Sequence, residues 1–165
     1  MTTATPLYGT PTAMTITLAS LATSAVDVGR QSSAVDQKDT VDAIDCILGG
    51  KIMVSTAAVT ANTQIEVWLY SSWDDVEYNS GATGTDGAQT ATNVKTAMAL
   101  FGIIPVPVTT AATQYYLKTG SVAQAFGGVI PVSWGVFVTQ NTGQNLHSVS
   151  SNHEIYYTPV KYESS

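Results

Sequence analysis

The sequence predicts an all-β fold: a single β-sandwich of jelly-roll type with an extended N-terminal arm and at most one short helix. Three observations predict it. Apolar residues alternate with polar ones over short runs, as in Gln64-Ile65-Glu66-Val67-Trp68-Leu69-Tyr70, the period-two signature of strands buried on one face. Gly, Pro and Asn turns punctuate these runs at regular spacing, as in sandwiches and jelly rolls. Charged residues make up 11% of the chain, against about 25% in typical globular chains. The strand faces are Thr-rich instead, which suits surfaces that lie against other protein.

At 165 residues the chain is one domain, large enough to bury a core without disulfide staples. Residues 1–12 form the arm and residues 13–165 the sandwich. Pro6, Gly9 and Pro11 keep the arm extended. It either frays, as unanchored termini do, or docks on a neighbour through Leu7 and Tyr8.

Thr15-Ile16-Thr17-Leu18 alternates and reads as a half-buried strand, and Gly29 to Ser33 reads as a turn. The run from Asp42 to Leu48 alternates again. Gly49-Gly50 then marks a tight turn or a bulge, and Lys51 to Ser55 resumes the strand. In Gln64 to Tyr70, Ile65, Val67 and Leu69 share one face, with Trp68 and Tyr70 on the other. Ser71 to Thr90 is a long polar loop, of a length that is usually functional or mobile. Val94, Ala97, Met98 and Phe101 have helical spacing, so residues 92–101 are the place for the short helix; the alternative is a strand running into Gly102 to Val108. Pro105 and Pro107 make that following stretch an edge, since proline cannot donate to a ladder. Tyr115-Tyr116-Leu117 opens another strand. Val132, Trp134, Val136 and Val138 share one face of the next, and Glu154 to Tyr162 is the last, with Pro159 near its middle. The predicted core is Ile16, Leu18, Ile65, Val67, Leu69, Trp134, Val136 and Val138.

Composition excludes several function classes. The net charge is -6, and the six Lys and Arg are scattered singly from Arg30 to Lys161, so no basic footprint for nucleic acid is expected. Adsorption to an anionic membrane is disfavoured for the same reason. No apolar run reaches the ~18–20 residues of a membrane span, and the N-terminus carries no signal-peptide pattern. The single cysteine, Cys46, lies in an apolar stretch and reads as a small buried hydrophobe.

The catalytic inventory is thin. His147 and His153 flank a Ser/Asn-rich turn, with Glu154 the one further ligand nearby, and no recognised metal spacing appears. Asp74, Asp75, Glu77 and Asp86 could in principle hold a hard cation, but they follow no regular ligand pattern. Adjacent Asp74 and Asp75 would point opposite ways on an extended chain, a poor acid/base pair. No nucleophile elbow, dinucleotide fingerprint or P-loop is present. The expectation is therefore no enzymatic activity, no cofactor and no metal. Trp73, Tyr78, Trp134, Tyr156 and Tyr157 could form a sugar-stacking platform, although Trp134 reads as a core anchor. The interface candidates are Leu7, Tyr8, Trp73 and Tyr78, because exposed aromatics are enriched at interfaces.

Several stretches together resemble small virion structural proteins of tailed bacteriophages. These are Leu18-Ala19-Ser20-Leu21-Ala22 followed by Gly29-Arg30-Gln31-Ser32, then Val67-Trp68-Leu69-Tyr70-Ser71-Ser72-Trp73-Asp74. Phe126-Gly127-Gly128-Val129-Ile130-Pro131 and Trp134-Gly135-Val136-Phe137-Val138-Thr139-Gln140-Asn141-Thr142-Gly143 complete the set. The resemblance implies a non-enzymatic β-sandwich on a phage particle and does not separate head from tail. With the low charge and the arm, the expectation is a capsid decoration or cement protein, made in the host cytoplasm and located on the virion. Its partners would be the major capsid protein or other virion proteins. A homo-oligomer is expected from the preference for closed symmetry, a trimer ahead of a dimer by analogy with capsid threefold sites. The alternative is a tail-associated or carbohydrate-binding sandwich module.

Overall fold

The computed structural model describes residues 4–24, 28–37, 43–89 and 94–164. Among them the strands are β1 (Ala4–Tyr8), β2 (Thr12–Ala13), β3 (Gly29–Gln31), β4 (Val35–Asp36), β5 (Asp45–Met53), β6 (Thr63–Ser72), β7 (Gly87–Gln89), β8 (Ala99–Val106), β9 (Gln114–Ser121), β10 (Ser133–Gln140) and β11 (Glu154–Ser164). They form two antiparallel sheets. The first runs β1-β11-β5-β9, with β2 following β1 along the same side of β11; the second runs β7-β3-β10-β6-β8, with β4 beside β10.

The inner faces close on one core. The first sheet sends in Cys46, Leu48, Ile52, Leu117 and Ile155, and the second Ile65, Val67, Leu69, Ile104, Trp134, Val136 and Val138. The period-two reading of β6 and β10 therefore holds residue for residue. Leu18 is buried with them, while Ile16 packs against the core only partly buried. Trp134 has no exposed surface and meets Tyr157 edge-on, ring centroids 5.7 Å apart.

The prolines and the glycine pair sit where the ladder tolerates them. β8, which carries Pro105, is the edge of its sheet. Pro159 lies in an interior strand, opposite Cys46 of β5. Its carbonyl accepts from Gly9 N at 2.8 Å. In an antiparallel ladder the N–H and C=O of one residue point the same way. The donor that Pro159 lacks would thus face the break between β1 and β2, not β5. Gly49-Gly50 is a bulge within continuous β5: the register against β9 shifts between Leu48 and Gly50. A Cβ on Gly50 would lie 2.3 Å from the Glu154 carbonyl oxygen, so the close approach of β11 excludes any side chain.

Three sequence expectations need correction. Gly29 to Ser33, read as a turn, opens with strand β3, which is held between β10 and β7 because both its edges find ladder partners. Thr15 to Leu18 alternates in burial but joins no strand ladder. It is a strap: Met14 N donates to Ile155 O, Thr15 O accepts from Ser33 N, and Thr17 N donates to Asp86 Oδ1. The predicted helix over 92–101 is also not one. Residues 92–93 lie outside the described residues, Val94–Ala97 is a 3-10 turn, and Ala99 onward is β8. Pairing of β8 with β6 from Ala99 to Val106 overrides the weak local helical spacing. The α-helix that does form, α1 (Val122–Ala125), is one turn, started by Ser121, whose Oγ accepts from Gln124 N at 2.9 Å. No described helix is long and apolar enough to cross a membrane.

Candidate functional site

The two outer faces of the sandwich differ, and that difference locates the candidate surface. The outer face of the second sheet is covered by the chain's own loop between β6 and β8. Tyr70 and Phe137, which point away from the main core, are fully buried beneath Ala82 and Met98, with Trp68 and Tyr78 packed against them. Every residue of β10 is consequently buried, on both faces. Gly135 makes room for this second cluster: a Cβ there would lie 2.2 Å from Tyr70 Cζ. The Tyr70 hydroxyl donates to Ser32 O at 2.6 Å.

The loop's acidic residues serve to hold this cover. Asp74 Oδ1 accepts from Val76 N and Glu77 N, an Asx-type turn, and these bonds hold its carboxyl below the ordinary value. Asp75 accepts from the hydroxyls of Tyr78 and Ser133. Asp86 accepts from Arg30 Nε at 2.7 Å and from Thr17 N and Oγ1. Burial alone would raise its pKa, but the bonds from Arg30 and Thr17 outweigh burial and hold it low. Glu66 on β6 accepts from Gln64, Trp68 Nε1 and Lys95, whose ammonium lies 5.4 Å from the Trp68 ring centroid.

Among the described residues, the outer face of the first sheet instead carries a row of exposed tyrosines. Tyr116 of β9 is 72% exposed, Tyr8 of β1 64% and Tyr162 of β11 61%, and Tyr156 of β11 is also exposed. Register puts them on one face. Tyr116 is opposite Lys51, which is opposite Glu154; Tyr156 is opposite Gly49; Tyr8 is opposite Val160, and Pro6 is opposite Tyr162. Between Tyr116 and Tyr156 lies a groove of about 370 Å³ bordered by Gly50, Lys51, Thr119 and Glu154. Lys51 Nζ meets Glu154 Oε2 at 2.9 Å, and this bond holds the ammonium above the ordinary lysine value. At the other end, β11 pairs with β5 only as far as Val160. Beyond it, residues 161–164 pair with β1 alone among the described residues, a two-stranded ribbon running past the sandwich.

The four sequence-predicted interface residues do not share one surface. Leu7 and Tyr8 are exposed on β1, Leu7 in the ribbon and Tyr8 at its base opposite Val160. Trp73 is 71% exposed and stands in the loop that covers the other sheet. Tyr78 is half-buried in that loop and meets Tyr70 edge-on at 5.7 Å. Sequence reasoning missed Tyr116 and Tyr162. The signal for Tyr116 was the doublet Tyr115-Tyr116, since adjacent strand residues face opposite ways. Tyr115 packs against the core and Tyr116 points out; Tyr157 and Tyr156 divide in the same manner.

The chemistry-bearing groups are engaged elsewhere. Burial, and then the charge of Asp45, push the Cys46 thiol up to about 12, far from a reactive thiolate. His153 Nε2 donates to His147 O at 2.8 Å, and His147 Nδ1 accepts from Val149 N. Glu154 is turned to Lys51. Among the described residues no three His, Cys, Asp or Glu side chains form a group that could hold a metal. No family model, no curated protein and no solved structure matches this chain.

Proposed function

We propose that the chain is a non-enzymatic structural protein of a tailed-bacteriophage virion, a capsid decoration protein that stabilises the head shell through subunit contacts. The observation that carries this reading is the contrast between the faces. One sheet is covered by a loop fastened with Asp74, Asp75 and Asp86. The other exposes Tyr8, Tyr116, Tyr156 and Tyr162 and continues into the β1–β11 ribbon. Exposed aromatics on a sheet face are the composition of interface cores. The ribbon gives the arm a defined shape before it meets a partner, which lowers the ordering cost of binding.

In this reading the ribbon, with Leu7, Tyr8 and Tyr162, attaches to the major capsid protein or to a second copy, and the copies form a closed homo-oligomer, a trimer for a threefold site. The test is co-expression with the major capsid protein of the same genome, followed by sedimentation of the assembled heads. Saturable co-sedimentation, reduced in a Tyr8→Asp/Tyr162→Asp variant that still folds, supports the assignment. A chain that stays at the top of the gradient, or a variant that binds as well as the parent, overturns it.

A further inference from the structure

We propose that the groove between Tyr116 and Tyr156 binds one neutral pyranose unit of a glycan, an activity separate from attachment to a particle. Three features carry it. The first is the pair of rings. Tyr116 and Tyr156 stand on strands flanking β5, opposite Lys51 and Gly49, so two strand spacings and a two-residue stagger put their Cα atoms about 12 Å apart. Their negative π faces suit the weakly positive C–H faces of a sugar ring. The second is the size of the groove between them, with Gly50, Leu117 and Thr119 in its lining. A groove of about 370 Å³ falls at the small end of the ~300–1,000 Å³ range of ligand sites, room for a single ring and not a long chain.

The third feature is charge. Lys51 and Glu154 border the groove and are paired with each other at 2.9 Å. Together they offer a donor and an acceptor side by side with no net charge, and Thr119 adds a hydroxyl. That arrangement fits vicinal hydroxyls, which donate and accept at adjacent atoms. A carboxylate or phosphate ligand would meet Glu154, and a cationic one Lys51. The groove is also distant from the ribbon: Tyr156 and Tyr162 are six residues apart on one strand, about 20 Å. Sugar binding and particle attachment can therefore fail independently.

The test is a two-dimensional NMR titration of the full-length chain with maltotriose, chitotriose and the acidic trigalacturonate, each to about 10 mM. Amide shifts confined to residues 49–51, 115–119 and 154–156 with a neutral trisaccharide are expected. Tyr116→Ala should weaken that binding about five- to tenfold, and Tyr116→Phe should keep it, because the ring face and not the hydroxyl is used. Lys51→Met should weaken it without moving amides of the ribbon. No shift with either neutral sugar overturns the proposal, as does tighter binding of trigalacturonate or shifts that persist in Tyr116→Ala/Tyr156→Ala. Loss of head co-sedimentation by the ribbon variant with sugar shifts intact would leave this site standing on its own.

Discussion

Trp134 shows how much a single position carries. It is wholly buried, stands edge-on to Tyr157, and its Nε1–H finds no partner among the described residues. Truncating a large buried aromatic typically costs about 3–5 kcal/mol, and Trp134→Ala should fall in that range by urea denaturation. Trp134→Phe keeps most of the ring and removes the unsatisfied donor, so its cost should be clearly smaller. A change within about 0.5 kcal/mol for the alanine variant would be the behaviour of a surface residue and would contradict the packing. Cys46 is the opposite case: a buried thiol pushed up to about 12 should resist alkylation in the folded protein and react only on unfolding.

At the level of elements, the loop between β6 and β8 gives β10 two buried faces. Phe137, on the outward face, should therefore behave like a core residue. Phe137→Ala is expected to cost about 3–5 kcal/mol, as much as the inward Trp134, and the measurement is again equilibrium unfolding. The sequence made the inner face legible because alternation with period two survives in β6 and β10 whatever lies outside them. Ile65, Val67, Leu69, Trp134, Val136 and Val138 could be placed in the core from that pattern alone. It could not show that Trp68, Tyr70 and Phe137 are covered, because their cover comes from Tyr78, Ala82 and Met98, in a segment fastened by long-range bonds such as Asp75 to Ser133 and Gln31 to Thr83. The same limit applies to the strap at Thr15 to Leu18, whose alternation reflects burial and not strand pairing. Of the candidate surface, Leu7 and Tyr8 were visible because prolines and glycine isolate them. The Tyr116–Tyr156 groove was hidden because it depends on the register of three strands, which no local pattern encodes.

For the whole molecule, acid should loosen the fold in two steps, each with a definite sign. His153 is held below its ordinary value of 6.5, first by burial, with the charge of His147 adding and the bond to His147 O opposing. The unfolded chain therefore binds this proton more readily, and stability falls as pH drops from 6.5 through the lower folded value. Glu66 and Asp86 are likewise held below their ordinary 4.5 and 3.8; burial opposes this, but bonds from Lys95 and Arg30 outweigh it. Their contribution is present above those values and is lost as pH falls through the depressed ones. The second step acts on the cover as a unit, because Asp86 joins the loop to both β3 and the strap, and Glu66 anchors the 3-10 turn through Lys95. The isoelectric point near 4.5 means acid also removes the charge that keeps copies apart. Melting should thus be followed at two protein concentrations, so that association is not mistaken for folding. The expected profile is level above about pH 7, declines gently below 6.5, and drops more steeply below 4.5. His153→Gln should remove the first decline and leave the second; Asp86→Asn with Glu66→Gln should lower stability at neutral pH and flatten the second. A melting temperature that stays level through both windows in the parent protein would show that these groups titrate alike folded and unfolded, and that the cover is not held by them.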